Sequence, residues 1–442
     1  MLLPSLSISI ANVGLPSMAA ALGASFHEVQ WIVIAYLLAI TTLIVGVGRL
    51  GDLVGRGRLL VIGIAVFTVA TLLCGLAPNL FLLIAARALQ GVGAACMMAL
   101  TMASVGAVVP EHRTGSAMGL LGTMSAVGTA LGPSLGGVLI ATFGWRAIFL
   151  AVVPIGVLAL MLTLPMWADT PAGSTARRFD VLGTVLLAVT LGAYALAMTV
   201  ESFGPLTIGL LGVAGAGLAL FGVTESKVAF PLVTLGMLRD PVLAVGLTTS
   251  TVVSAVMMTT LIVGPFHLAG ALGLGPAAVG LVMSAGPAVS ALTGVPAGRV
   301  IDRFGSRTMV IVGLVGIIVA TLTLSVMPTS AGVLGYVLPL IVCTACYAIF
   351  QAANNTAIMK DVAAQQRGLV SGMLNLSRNL GLMTGASVMG AVFARAAGTR
   401  DVATGAPAEI ARGTHWAFAV AALLVGVGLV LFLGLRRTLP AT

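Results

Sequence analysis

Stretches of about twenty apolar residues follow one another along the whole chain, separated only by short polar turns. A bilayer core takes roughly 20 consecutive apolar residues per spanning helix, so this spacing leaves few alternatives to a membrane fold. The 442 residues are 59% hydrophobic and 7% charged, with a mean hydropathy of +1.16. Soluble domains carry about 25% charged residues, so there is too little polar side chain to cover a globule in water. The apolar runs reach both ends, which excludes one anchor on a soluble domain. Aromatics are scarce and no ten-residue strand alternation recurs, which argues against an outer-membrane barrel. Glycine is abundant, at 56 residues, as is common where membrane helices approach closely. An all-α polytopic membrane protein is predicted.

Fourteen spans are predicted, at residues 3–22, 31–50, 59–77, 79–108, 116–142, 146–167, 181–200, 205–224, 241–269, 276–297, 308–327, 333–358, 369–394 and 415–435. An even count puts both termini on one face. That face then carries Arg49, Arg56, Arg58, Arg113, Arg177, Arg178, Arg299, Arg303, Arg307 and most other Lys and Arg. The opposite face has Arg146, Arg395, Arg400 and Arg412, while Arg87 and Arg378 fall within spans. Basic loops stay cytoplasmic during insertion, so the expectation is a multi-pass protein of the cytoplasmic membrane with both termini inside.

The net charge of +9 belongs to these loops and does not call for a nucleic-acid partner. Met1-Leu2-Leu3-Pro4 lacks the basic lead-in of a cleaved signal, and a start upstream of Met1 stays open. Cys343 and Cys346 lie within a span and read as small buried apolar residues rather than a redox pair. The four histidines are too scattered for a metal site. Gly46-Val47-Gly48-Arg49-Leu50-Gly51 follows no strand, so it is not a dinucleotide fingerprint. With no phosphate loop and no nucleophile–base pair, neither a cofactor, a metal nor an enzymatic activity is expected.

The most informative local feature occurs twice. Gly48-Arg49-Leu50-Gly51-Asp52-Leu53-Val54-Gly55-Arg56 joins spans two and three, and Gly298-Arg299-Val300-Ile301-Asp302-Arg303-Phe304-Gly305-Ser306-Arg307 joins spans ten and eleven. Glycines allow a tight turn, and the carboxylate can pair with guanidinium groups or a helix N-terminus. Gly48, Asp52, Gly55 and Arg56, with Gly298, Asp302, Gly305 and Arg307, are therefore candidate conformational latches. Asp52 and Asp302 are 250 positions apart, room for six helices and one extra hairpin. Three segments are expected: a six-helix bundle at 1–167, a linker with two extra helices at 168–240, and a second six-helix bundle at 241–442. Duplicated halves of this kind suit a carrier that rocks about a midplane site.

The repeated turns, with four further stretches, resemble the major facilitator superfamily and its fourteen-span drug:proton antiporter branch. Arg87-Ala88-Leu89-Gln90-Gly91-Val92-Gly93 in span four resembles R-x-x-Q-G-x-G. Gly128-Thr129-Ala130-Leu131-Gly132-Pro133-Ser134-Leu135-Gly136-Gly137 in span five resembles the exporter pattern G-x-x-x-G-P-x-x-G-G. Residues 6–16, LSISIANVGLP, are similar to L-D-x-T-I-V-N-V-A-L-P, and Trp145-Arg146-Ala147-Ile148-Phe149 looks like another shared element. The resemblance implies a two-bundle fold with twelve core helices plus a central hairpin. It also implies a monomeric antiporter that exports drugs or small hydrophobic metabolites against protons, with Arg87 and Gln90 serving proton coupling.

Gly128, Gly132 and Gly136 recur every four residues and so share one helix face; with Pro133 and Gly137 they are candidates for a sliding, bendable interface. Arg87 falls well inside span four, where a guanidinium usually has a function. Asn12, Gln351, Asn354, Asn355, Asn375 and Arg378 are candidates for lining a substrate cavity or bridging helices. One departure counts against the antiporter: Ser7 stands where the family motif has an aspartate, and no acidic residue lies securely at a membrane midplane. Asp52 or a histidine such as His267 is left to carry protons. A facilitator or uptake carrier on the same fold, and a transport-dead sensor or assembly partner, are the alternatives.

Overall fold

The computed structural model describes residues 1–108, 111–167, 181–199, 204–228, 235–359, 362, 367–398 and 405–434. Among them every regular element is helical. Ten helices are long and apolar enough to cross a membrane, and four shorter apolar stretches lie at Val127–Phe143, Ala147–Thr163, Leu182–Met198 and Pro276–Ser290.

The chain divides into two compact units, Met1–Thr234 and Leu235–Thr442. The first contains α1 (Leu2–Leu22), a short α2 (Phe26–Val29), α3 (Trp31–Val54), α4 (Arg56–Leu76), α5 (Leu80–Val108) and α6 (Glu111–Phe143). It continues through α7 (Ala147–Leu150), α8 (Val152–Thr163), α9 (Val181–Thr199) and α10 (Pro205–Lys227). Here α1 packs on α6, α5 packs on both α3 and α4, and α8 packs on α4. The pair α9–α10 leans on α3. Only 17% of α10's apolar stretch is buried, so α10 is the more exposed helix of the pair.

The second unit contains α11 (Pro241–Phe266), α12 (Pro276–Phe304), α13 (Ser306–Val326), α14 (Gly332–Met359), α15 (Arg367–Thr384), α16 (Gly390–Ala397) and α17 (Pro407–Gly434). It repeats the pairing of the first: α11 packs on α15, α14 on both α12 and α13, and α17 on α13. Two predicted spans are less regular than expected. The span predicted at 241–269 leaves the α-helix after Phe266 for a π-helical turn, His267–Ala271, just past Pro265, whose missing N–H weakens the ladder there. The span at 369–394 is interrupted by a second π-helical turn, Gly385–Met389.

The repeat is one of register as well as pairing. Gly55 and Gly305, 250 residues apart, each close one helix and open the next at positive φ, +102° and +81°. Their N–H groups donate to the carbonyls of Gly51 and Ile301, which share that offset. Higher up, Gly63 faces Cys96 while Gly313 faces Cys346 and Phe350, again 250 apart. Close helix contact is thus built from the same small residues twice.

A side chain at Gly305 would meet no atom within 4 Å, so substitution there isolates backbone strain. With φ +81° and ψ 146°, Gly305→Ala is expected to cost about 1–3 kcal/mol. Gly298→Ala, inside α12 and equally free of neighbours, should be neutral or slightly stabilising. Thermal unfolding of the two purified variants checks the contrast.

Candidate functional site

The two glycines of the span-four motif explain how a charge comes to be buried beside it. A Cβ at Gly91 would lie 2.5 Å from the Tyr36 carbonyl oxygen, and one at Gly93 2.5 Å from the Phe67 nitrogen. Their absent side chains let α3 and α4 close onto α5 from two directions. Arg87, one turn before Gly91, and Gln90, next to it, are then enclosed completely, each 0% exposed.

Arg87 is held by two hydrogen bonds and two ring contacts. Its Nε donates to the Ile32 carbonyl at 2.9 Å, and Nη1 donates to Gln90 Oε1. The guanidinium lies 4.2 Å from the centre of the Tyr36 ring and 6.0 Å from that of Phe149. Gln90 Nε2 donates to Thr71 Oγ1 at 2.6 Å and reaches Ser7 Oγ at 3.4 Å. The Thr71 hydroxyl donates to the Phe67 carbonyl, which leaves a lone pair to accept from Gln90. Tyr36 in turn donates its hydroxyl to the Pro4 carbonyl at 3.1 Å.

Hydrogen bonds to a charged group contribute about 1.5–3 kcal/mol each, and a desolvated cation–π contact about 2. These offset part of the cost of burying a cation, which ordinarily requires a counter-ion. None of the partners carries a carboxylate, and Nη2 has no hydrogen-bond partner among the described residues. Ser7, at the position of the family's aspartate, touches Gln90 rather than Arg87 directly. Arg87 is seven residues from the start of α5, about 10 Å along the helix.

The same α1 that brings Ser7 to this network turns another face to α6. Gly128 lies against the Leu2 carbonyl, Gly132 against Ser9 and 2.8 Å from the Ile10 nitrogen, and Gly136 2.8 Å from Ile10 Cγ1, as distances from a hypothetical Cβ. Ser9 Oγ contacts the Gly128 carbonyl at 3.3 Å, and the hydroxyls of Ser5 and Ser125 are 2.6 Å apart. Pro133 and Gly137 are buried in α6, which continues through Pro133 as one helix. Asn12, fully buried on α1, has both amide atoms without partners among the described residues.

In the second unit Gly381 on α15 faces the Thr251 carbonyl and Ser254, and Gly385 faces Ala255. Ser377, one turn before Gly381, donates to the Leu247 carbonyl at 2.6 Å. Asn354 joins α14 to α11 by donating to the Gly246 carbonyl at 3.1 Å. Gln351 Oε1, Asn355 Oδ1 and Arg378 Nε are buried and have no partner among the described residues; Asn375 is half-buried. No hydrogen bond among the described residues joins Gln351, Asn354 or Asn355 to Arg378. Of the latch candidates, Arg56 is half-buried, Gly298 lies within α12 and Arg307 is exposed. The surroundings of Gly48 and the side chains of Asp52 and Asp302 lie outside the described residues.

Sequence reasoning missed Tyr36, Thr71 and the Ile32 carbonyl, which complete the network from other helices. It also left Glu225 beyond its span, whereas α10 includes it and buries it to 3% exposure.

The comparisons agree with this architecture. A family model described as Major Facilitator Superfamily matches residues 1–386 and, again, 245–442. Multidrug resistance protein Stp of Mycobacterium tuberculosis (strain CDC 1551 / Oshkosh) is 32% identical over 87% of this chain and 72% of its own length. Riboflavin transporter RibZ of Clostridioides difficile (strain 630) is 27% identical over 88% of this chain and 84% of its own. Among solved structures, an inward-facing, unoccupied bacterial homolog of the human lysosomal transporter Spinster superposes with a TM-score of 0.72 at 16% identity, covering 100% of this chain and 96% of that one. With two like-built helical units, the repeated turn and a family match spanning both, this multi-pass chain belongs to the Major Facilitator Superfamily and is a membrane transporter of small molecules, not an enzyme.

Proposed function

We propose that the chain exports drugs or small hydrophobic metabolites across the cytoplasmic membrane in exchange for protons, by alternating access. In this reading the four shorter apolar stretches join the ten long helices to give fourteen spans, twelve of them core. Residues 1–167 and 241–442 form the two bundles, 168–240 carries the extra hairpin, both termini are cytoplasmic and the working unit is a monomer. Asp52 with Arg56 and Asp302 with Arg307 fasten the inner edges.

The observation that carries the reading is the double contact of α1. One face rides on the glycines of α6, while Ser7 on another touches Gln90, which is bonded to Arg87. Smooth packing lets α1 move, and such movement withdraws a partner from the Arg87 network. Substrate passage and the state of a buried charge are thereby linked through one helix. The names of the relatives, a multidrug resistance protein and a riboflavin transporter, support small organic substrates.

A facilitator is the second reading, favoured by Ser7 in place of a carboxylate. Flux of a panel of drugs and of riboflavin into inverted vesicles, with and without an imposed pH gradient, separates the two. Antiport requires accumulation that collapses when the gradient is discharged; equal rates with and without it would leave a facilitator.

A further inference from the structure

With no carboxylate beside Arg87 among the described residues, the proposed exchange needs another group to carry the proton, and the second unit offers one. His267 is 7% exposed and sits in the π-helical turn that follows α11. Such turns recur at functional sites. Its ring stacks on Tyr336, with centroids 5.6 Å apart and an interplanar angle of 25°. Its Nδ1 is 3.1 Å from Thr414 Oγ1, and that hydroxyl lies 2.9 Å from the Ile410 carbonyl. A hydroxyl has one proton and a carbonyl only accepts, so every bond is satisfied when Thr414 donates to Ile410 and His267 Nδ1–H donates to Thr414. Nε2 is then the basic nitrogen.

The next residue on α17 completes the arrangement. His415 Nε2 lies 2.9 Å from the Met327 carbonyl, so that nitrogen carries the proton and Nδ1 is the basic one. Both histidines line a single cleft with Tyr336, Met327, Thr329 and Thr414. Met327 directly follows α13, whose other end opens at the Gly305 turn, so the cleft lies at the end of this unit away from the latch motif.

We propose that His267 is the proton-carrying residue of this transporter, loaded from the cleft by way of His415. The inference rests on the antiport reading above. In the loading step Nε2 of His267 takes a proton from hydronium in the cleft, or from the Nδ1–H of His415 imidazolium, which returns to its neutral form; the His267 imidazole becomes imidazolium while Nδ1–H keeps its bond to Thr414. Release to the opposite side returns the neutral tautomer, so each cycle moves one proton. The other groups around His267 leave this role to it. Tyr336 is the titratable residue stacked on it from α14, and α11 contributes no titratable side chain (residues 241–266). On α17, Arg412 is turned to the Ala396 and Ala397 carbonyls and Glu409 to the Ala406 N–H. On α12, the charged residues Arg299, Asp302 and Arg303 stand at the far end. Two imidazolium ions in one cleft would repel, which favours handing a proton inward over storing two.

The test has two arms. The full chain, labelled with 15N-histidine in lipid nanodiscs, is titrated between about pH 8 and about pH 4, a range that brackets the ordinary histidine value. His267 is assigned by substituting His27, His112 and His415 with glutamine. It should show the Nδ1–H tautomer at high pH and convert to imidazolium as pH falls. In proteoliposomes, ethidium and riboflavin export is measured under an imposed pH gradient and as counterflow without one. One proton per cycle sustains at most about a tenfold concentration ratio per pH unit. His267→Gln should abolish that ratio while counterflow continues, and His415→Gln should slow loading but not abolish it. An untitrating His267, or gradient-driven export surviving in His267→Gln, overturns the proposal. Absence of counterflow in the unaltered protein would overturn the transport reading instead, and the titration would still decide whether His267 binds a proton.

Discussion

Arg87→Leu is expected to reduce energised export by about two orders of magnitude while the protein still folds and inserts. The guanidinium makes one hydrogen bond to Ile32, one to Gln90 and a ring contact with Tyr36. Losing about 2–3 kcal/mol of charge-assisted bonding in the state that needs it corresponds to roughly a hundredfold in rate. Stability should respond far less. Leucine removes a buried cation that lacks a carboxylate partner in the network, and exchanging buried charge for apolar volume is often neutral. The remaining cost is an unsatisfied Gln90 Oε1, about 1–3 kcal/mol. Arg87→Lys is the sharper variant. One ammonium cannot reproduce the planar fork that serves Ile32 and Gln90 from two different nitrogens, so it should fail nearly as badly. Export assays paired with thermal unfolding decide the matter: full transport by the lysine variant would mean that positive charge alone suffices.

Much of the helical framework was legible because it depends on local chemistry. Apolar runs of span length have one stable solution in lipid, where every backbone group must be bonded within the segment, and turn residues mark the ends. Gly51-Asp52-Leu53-Val54-Gly55 and its copy are recognisable as turns because only glycine tolerates the φ values found at Gly55 and Gly305. The spacing of Gly128, Gly132 and Gly136 also identified a face for close packing, and that face meets α1.

The connections between helices were not legible in the same way. Gln90 meets Thr71 and Ser7, and Arg87 meets Ile32 and Tyr36, across sequence separations that no periodicity encodes. Asn354 reads in the sequence as a polar group either for a cavity or for bridging helices, and its bond to the Gly246 carbonyl is set by how α14 packs on α11. The sequence offers His267 as a proton carrier only for want of a midplane carboxylate, with no partner to mark it. Its significance comes from Thr414, His415 and Tyr336, supplied by α17 and α14. Composition also concealed an asymmetry between the units: the register that repeats Gly55, Gly63 and Cys96 puts Val337 and Leu340 where the first unit has Arg87 and Gln90. Duplication preserved the packing residues, while polar chemistry diverged.

Gly132→Leu tests whether the α1–α6 contact is as intimate as it must be for α1 to move against α6. The first added carbon would overlap Ser9 and lie 2.8 Å from the Ile10 backbone nitrogen. A serine can change rotamer, but backbone can yield only if α1 shifts as a whole. That shift would loosen the Ser9–Gly128 and Ser7–Gln90 contacts together. Overpacking of this kind costs about 1–3 kcal/mol. For a unit of this size that lowers the unfolding midpoint by roughly 3–10 °C, and export should fall to background. Gly209→Leu is the matched control, since a Cβ on that α10 residue would meet nothing within 4 Å. Lipid can accommodate the added volume there, and leucine favours helix over glycine by about 1 kcal/mol. The contrast between the two substitutions, read by thermal unfolding and export, separates close helix contact from glycine's effect on helicity. Equal tolerance at both positions would show that α1 and α6 do not need to pack this closely.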